Sequence, residues 1–173
     1  MEIKKSHRRT IFQRGAWPVF IVAGAALLFF AQISPAASWN NIDFFKSRRA
    51  DVRQALGSPI GDPPGEAERL RFKIPGALVT VAFVSESLIA ARKLTPELKG
   101  TVSQIAIQHE NSADTPETLK LINNDDFTRE DRQGVTIFTN SKDGVIYTFV
   151  NGKLTTTWYN PSAEQLVRAQ SKK

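Results

Sequence analysis

The polar and apolar positions of this chain fall into short blocks of two periods. In "SRRADVRQALGSP", Val52, Ala55 and Leu56 recur at three- and four-residue spacing, which marks one face of a helix. The spacing predicts a helix over 48–56, capped by Ser47, with Gly57 in the left-handed position past its end and Pro59 blocking continuation. Such a helix is too short to stand alone and must dock its stripe on another element. After a turn-rich loop over 60–68, "RLRFKI" and "ALVTVAFVS" read as strands over 69–74 and 77–85, joined at Pro75-Gly76. "SLIAARKL" fits either a helical turn or more strand. "TVSQIAIQH" predicts a strand over 101–109, although Val102 falls out of phase with Ile105 and Ile107. That phase break means a bulge or a late strand start. Thr115-Pro116-Glu117 carries the signals of a helix start and predicts a helix to about Ile122. Thr128 with Asp131 has the spacing of a second, weaker capping box.

The last third alternates most cleanly. Asp143-Gly144 and Asn151-Gly152 are hairpin dipeptides suited to turns with positive φ. Two-residue loops at both predict an antiparallel meander with Val150 opposite Lys153, Phe149 opposite Leu154, Tyr147 opposite Thr156, Val145 opposite Trp158 and Phe138 opposite Phe149. One face then collects Phe138, Val145, Tyr147, Phe149, Leu154 and Trp158; the other carries Thr139, Thr148, Lys153, Thr155 and Thr157. A greasy face needs a cover, and the short helix is its natural partner. Asn160-Pro161 ends the meander, and Ser162 caps a last helix through Ala169. The resulting fold class is α+β, with short helices packed on one face of an antiparallel sheet that contains a C-terminal β-meander.

The first 38 residues obey another logic. Lys4, Lys5, Arg8, Arg9 and Arg14 precede the unbroken apolar run "AWPVFIVAGAALLFFA" and the small residues of "QISPAAS". This is the layout of a secretory signal peptide. Ala36 and Ser38 satisfy the small-x-small rule for a cut before Trp39, and Ser34 and Ala36 for one before Ala37. Extended through Ile33, the run just spans a bilayer core, so an uncleaved anchor is the alternative. Basic residues ahead of the run place the remainder outside the cytoplasm in both cases. Arg8-Arg9 resembles a twin-arginine signal, but the run is too greasy for that route. The chain is thus read as a signal peptide or membrane anchor, 1–38, followed by a single exported domain, 39–173.

Charge and composition narrow the chemistry. The net charge is +6, but from Ser38 onward there are 18 basic and 16 acidic residues, so the excess belongs mainly to the head. No basic stripe interleaved with aromatics calls for nucleic acid. With no cysteine there is no disulfide, thiol catalysis or lipid-bearing cysteine. Of two histidines, His7 lies in the signal, and His109 alone makes neither a metal site nor, without a G-x-S-x-G elbow, a triad. The carboxylate cluster is "NNDDFTRED", with Asp125, Asp126, Glu130 and Asp131. It lacks the spacing of a calcium loop, and Arg129 and Arg132 neutralise it as a solvated turn; a two-carboxylate hydrolase is the other use for such acids. Trp39, Phe44 and Phe45 read as core packing; exposed, they would form a contact patch. Arg48 and Arg49, unfavourable at a helix start, are the cations to suspect of an outside partner. No cofactor or metal is called for.

Several motifs, taken together, resemble a group of short exported bacterial proteins of unknown function. They are W-x-x-I (Trp39, Ile42), S-x-R-x-D-V-x-x-x-L-G-x-P (Ser47, Arg49, Asp51, Val52, Leu56, Gly57, Pro59), G-T-V-x-x-I (Gly100 to Ile105) and D-G-V-I-Y with Y-N-P. The resemblance spans nearly all of the domain and implies no activity. A weaker one, to small outer-membrane assembly lipoproteins and the repeats of the beta-lactamase inhibitor protein, implies a helix-on-sheet module used for protein contacts. The expectation is a non-catalytic module that binds another protein at the cell envelope. The alternatives are a small carboxylate hydrolase and a membrane-tethered domain.

Overall fold

The computed structural model describes residues 38–61 and 68–170. The apolar run and Ala36 of the expected signal lie outside them, as does most of the loop over 60–68. In chain order the elements are β1 (Ser38–Trp39), β2 (Ile42–Asp43), α1 (Arg49–Leu56), β3 (Arg69–Ile74), β4 (Ala77–Phe83), α2 (Glu86–Arg92), β5 (Val102–His109), β6 (Thr128–Arg132), β7 (Val135–Asn140), β8 (Val145–Val150), β9 (Lys153–Tyr159) and α3 (Ala163–Ala169). Strands β3 to β9 form one antiparallel sheet in the order β3-β4-β5-β9-β8-β7-β6. Two meanders therefore meet at the β5–β9 pair. The expected α+β class holds.

One face of the sheet carries the core, because alternate residues of each strand share a side. Over the β3-β4-β5 half, Phe72, Val79, Val81 and Ile105, all 0% exposed, pack with Val52 of α1 and with Ile42 and Phe44 ahead of it. Over the other half, Leu121 seals Phe138, Phe149 and Leu154. A third cluster sits where α2 and α3 leave the sheet and holds Val84, Leu94 and Ala169, with Phe45 against it. So the early aromatics are packing residues: Phe44 is 2% exposed, and Trp39 stacks on Tyr159 at 6.3 Å.

The N-terminus of α1 departs from expectation. Its cap position is Arg48, not Ser47. The Ser47 hydroxyl instead accepts the Asp43 N–H at 2.9 Å, and the Ser47 carbonyl accepts the Val102 N–H. This fixes the lead-in segment to β5 and leaves the helix to start one residue later. Asp51 supplies the cap from inside, its carboxylate accepting the Arg48 N–H at 2.7 Å, beside the positive end of the helix. Gly57 has φ 84° and ψ −152°, a region essentially reserved for glycine but not the left-handed helical one.

The phase break in β5 is a bulge. Ala82 pairs with Gln104 but Phe83 with Val102, so Ser103 is the extra residue. The bulge lets Val102 and Ile105, three apart, both point into the core. "SLIAARKL" resolves as helix α2, with Ser85 capping through the Leu88 N–H. No helix forms over 115–122. The segment makes a single turn, with Leu119 N–H on the Thr115 carbonyl, and then breaks because Lys120 adopts φ +54°. Thr128 and Asp131 belong to strand β6 rather than a capping box.

The meander registers also shift. The β7–β8 loop has four residues, Asn140 pairing with Val145, so Phe138 faces Tyr147 and not Phe149. A bulge at Thr155 keeps Phe149 opposite Leu154 but then pairs Tyr147 with Thr157 and Val145 with Tyr159. The extra residue exchanges the faces beyond it. Trp158 moves to the outer side and Thr157, 2% exposed, to the core side.

Candidate functional site: an open sheet face and the cleft at its end

Among the described residues, the outer face of the sheet contributes no side chain to any of the three buried clusters. Strand register lines up Arg71, Thr80, Ala106, Trp158, Ile146 and Thr139 as one row across it. Trp158 sits at the centre, half-buried, beside Ala106, which is 6% exposed. The parallel row runs from Lys73 through Leu78 and Thr156 to Ile137. Arg69, Arg71 and Lys73, all exposed, make the β3 margin cationic, with Lys73 paired to Glu110.

At one end of this face lies a cleft of about 590 Å³, within the usual range for small-ligand sites. Its base comes from the first row of the sheet, Arg69, Ala82 and Gln104, and α2 and α3 contribute Leu88, Arg92 and Leu166. The β5 bulge places Ser103 in its lining. Asn160 fixes one wall. Its Nδ2 donates to the Gly144 carbonyl at 3.3 Å, its N–H donates to the same carbonyl at 2.8 Å, and its Oδ1 accepts Gln104 Nε2 at 2.8 Å. Ser85 and Ser87 hydroxyls meet at 2.8 Å.

The motif residues lie elsewhere. Trp39, Ile42, Val52 and Leu56 belong to the core side under α1, and Pro59 is buried near β3. Ser47, Asp51 and Gly57 shape the ends of α1. The two suspect arginines are engaged within the fold: Arg48 donates to the Lys99 and Glu97 carbonyls, at 3.0 and 3.3 Å, and Arg49 lies 4.3 Å over the Phe83 ring. Ser38 pairs with Asp43 in the β1–β2 hairpin.

The carboxylates of 123–131 do not converge. Asp125 and Asp126 lie exposed in turns, and Glu130 and Asp131 point to opposite faces of edge strand β6. Glu130 pairs with Arg132. Asp131 takes a forked contact from Arg129 at 2.9 and 3.1 Å and the Thr136 hydroxyl at 2.8 Å, which hold its carboxyl below the usual range. None of the four lines the cleft. Among the described residues no three His, Cys, Asp or Glu side chains gather as a metal site. Burial pushes the Tyr159 phenol up to about 12, with Tyr147 nearby adding to the rise.

His109 is half-buried at the end of β5, its Nε2 2.9 Å from the Thr157 hydroxyl. Desolvation lowers its pKa below the ordinary 6.5, against a smaller opposing pull from Asp114. The unfolded chain then binds the proton more readily, so stability falls as pH drops through the ordinary imidazole range and levels off below the folded value. Denaturant midpoints measured from about pH 8 to pH 5 should fall with acid in the native chain and fall less in His109→Gln. Parallel curves for the two proteins would refute a contribution from His109.

The outer face and cleft had little signature in the sequence. Their residues come from eight elements, and the bulges at Ser103 and Thr155 reassign faces that simple alternation gives wrongly. No family model and no curated protein sequence matches the chain. Among solved structures, it is similar to the crystal structure of a DUF4309 family protein (YjgB) from Bacillus subtilis, with a TM-score of 0.46 and 14% identity over 70% of this chain and 83% of that one.

Proposed function

We propose that the chain is an exported, non-catalytic module that binds another protein at the cell envelope through the open face of its sheet. The observation that carries this reading is the row centred on Trp158, Ala106 and Ile146, which runs across the sheet and enters no buried cluster. A broad face with an aromatic centre and polar edges has the anatomy of a protein-binding surface. Its cationic β3 margin selects a partner with an acidic flank. A carboxylate hydrolase has less support, because its candidate acids do not converge. Export rests on the basic, apolar, small-residue order of the N-terminus. The Ser38–Asp43 pairing favours a cut before Ala37 over one before Trp39, since the latter removes half of the first pair.

Photo-crosslinking in intact cells tests the reading. A benzophenone side chain at position 158 should give a discrete protein adduct. The same probe at Val167, 71% exposed on α3, should give none. Equal labelling from both sites, or none from 158, would sink the proposal. The intact mass of the same purified material reports the cut; a full-length chain in the membrane fraction would replace the free module with a tethered one.

A further inference from the structure

We infer that the cleft between α2, α3 and the end of the sheet is a binding site for the free carboxylate end of a short peptide. Three charged residues line it: Glu68, Arg69 and Arg92. The net single positive charge suits one carboxylate, and Glu68 next to Arg69 disfavours a doubly charged phosphate group. The two guanidiniums come from the start of β3 and the end of α2, and a planar guanidinium grips a carboxylate through two parallel N–H bonds.

The remaining lining complements the last peptide group and side chains that adjoin a C-terminal carboxylate. Gln104 has one N–H committed to Asn160 and keeps its carbonyl oxygen and second N–H for the ligand. A side-chain amide presents one donor and one acceptor, the complement of a backbone peptide group. Asn160 is itself held by the Gly144 carbonyl, so the Gln104 amide is oriented before a ligand arrives, which lowers the ordering cost of binding. Leu88, Leu94 and Leu166 give an apolar wall for side chains. This inference concerns the cleft alone and holds whether or not the rest of the open face meets a protein.

The test uses the protein purified as cells make it and two pools of N-acetylated tripeptides, identical except that one ends in a free carboxylate and the other in an amide. Amide resonances of Ala82, Ala91 and Gln104 should move with the carboxylate pool. The amidated pool should bind at least about tenfold more weakly, the loss expected when a hydrogen bond to a charged group is removed. Arg69→Gln combined with Arg92→Gln should abolish the difference between pools while leaving the unfolding midpoint in place, since both side chains are exposed. Equal responses to the two pools, shifts confined to other residues, no shift at millimolar peptide, or an undiminished preference in the double variant would each overturn the inference. A failed crosslink at position 158 leaves these readouts untouched.

Discussion

Phe149→Ala lowers the free energy of unfolding by about 3–5 kcal/mol, the larger of the two effects expected from single substitutions. Phe149 is 0% exposed at the centre of the second cluster, beneath Leu121 and between Phe138 and Leu154. Its ring meets Phe138 edge to face, with centroids 5.8 Å apart at 85°, a geometry that adds to plain burial. The cluster is small, so little surrounding material can collapse into the void. Its lid is the irregular segment of Leu119, Leu121 and Phe127, which has no helix to hold its shape. Urea titration should show a lower midpoint with an unchanged slope. Ile146→Ala, three residues away on the outer face, should cost only about 1 kcal/mol. Similar losses for the two would mean that the outer face is packed as tightly as the inner one.

Gly144→Ala costs roughly 3 kcal/mol, from two causes. Gly144 sits at φ +73°, where a side chain is strained, and a Cβ built there would lie 2.3 Å from the Asn160 carbonyl oxygen and 2.9 Å from that of Pro161. Both obstacles are backbone, so no side-chain rotation relieves them. The chain after β9 would have to lift, carrying Asn160 off the Gly144 carbonyl. Gly152 offers the comparison: φ is +76° and nothing lies within 4 Å of its Cβ position. Gly152→Ala therefore suffers the conformational penalty alone, about 1–2 kcal/mol. Thermal melts of the two variants separate the terms. Equal midpoints would show that the close approach at Gly144 is relieved without cost.

These residues also show which parts of the fold the sequence made legible. The strands over 69–74, the Asn151-Gly152 turn and the helix behind Ser162 were readable because period, turn chemistry and cap agree locally. Asn151 and Gly152 do adopt positive φ, and Ser162 with Gln165 forms a complete capping box. What went unread depends on contacts remote in sequence. Ser47 looks like a cap until β5 and Asp43 claim it. "TREDR" has no apolar residue and reads as a turn; it becomes β6 because β7 supplies the pairing, after a two-residue Gln133-Gly134 turn with both φ positive. Thr115-Pro116 has every local sign of a helix, yet the chain turns away at Lys120 to lay Leu121 on the second cluster. One bulge at Thr155 turns Trp158 to the face opposite the one simple alternation gives it, so the outer surface is the part least visible in the sequence.

The β5–β9 junction has a consequence for how the molecule assembles. Among the described residues, every other strand pair joins neighbours in sequence. This one consists of four residue pairs, Ile105–Tyr159 to Gln108–Thr156, separated by about fifty residues of chain. Each meander buries a cluster of its own, with Tyr159 of β9 reaching across the seam to the first, and is built from local hairpins, which form on the microsecond scale. Bringing the two halves together closes one long loop, and its entropy must be met before the seam's hydrogen bonds form. Topology thus predicts an order of events: two hairpin stacks that condense first, and the zippering of the four pairs between them as the late step that turns two half-sheets into one continuous outer face.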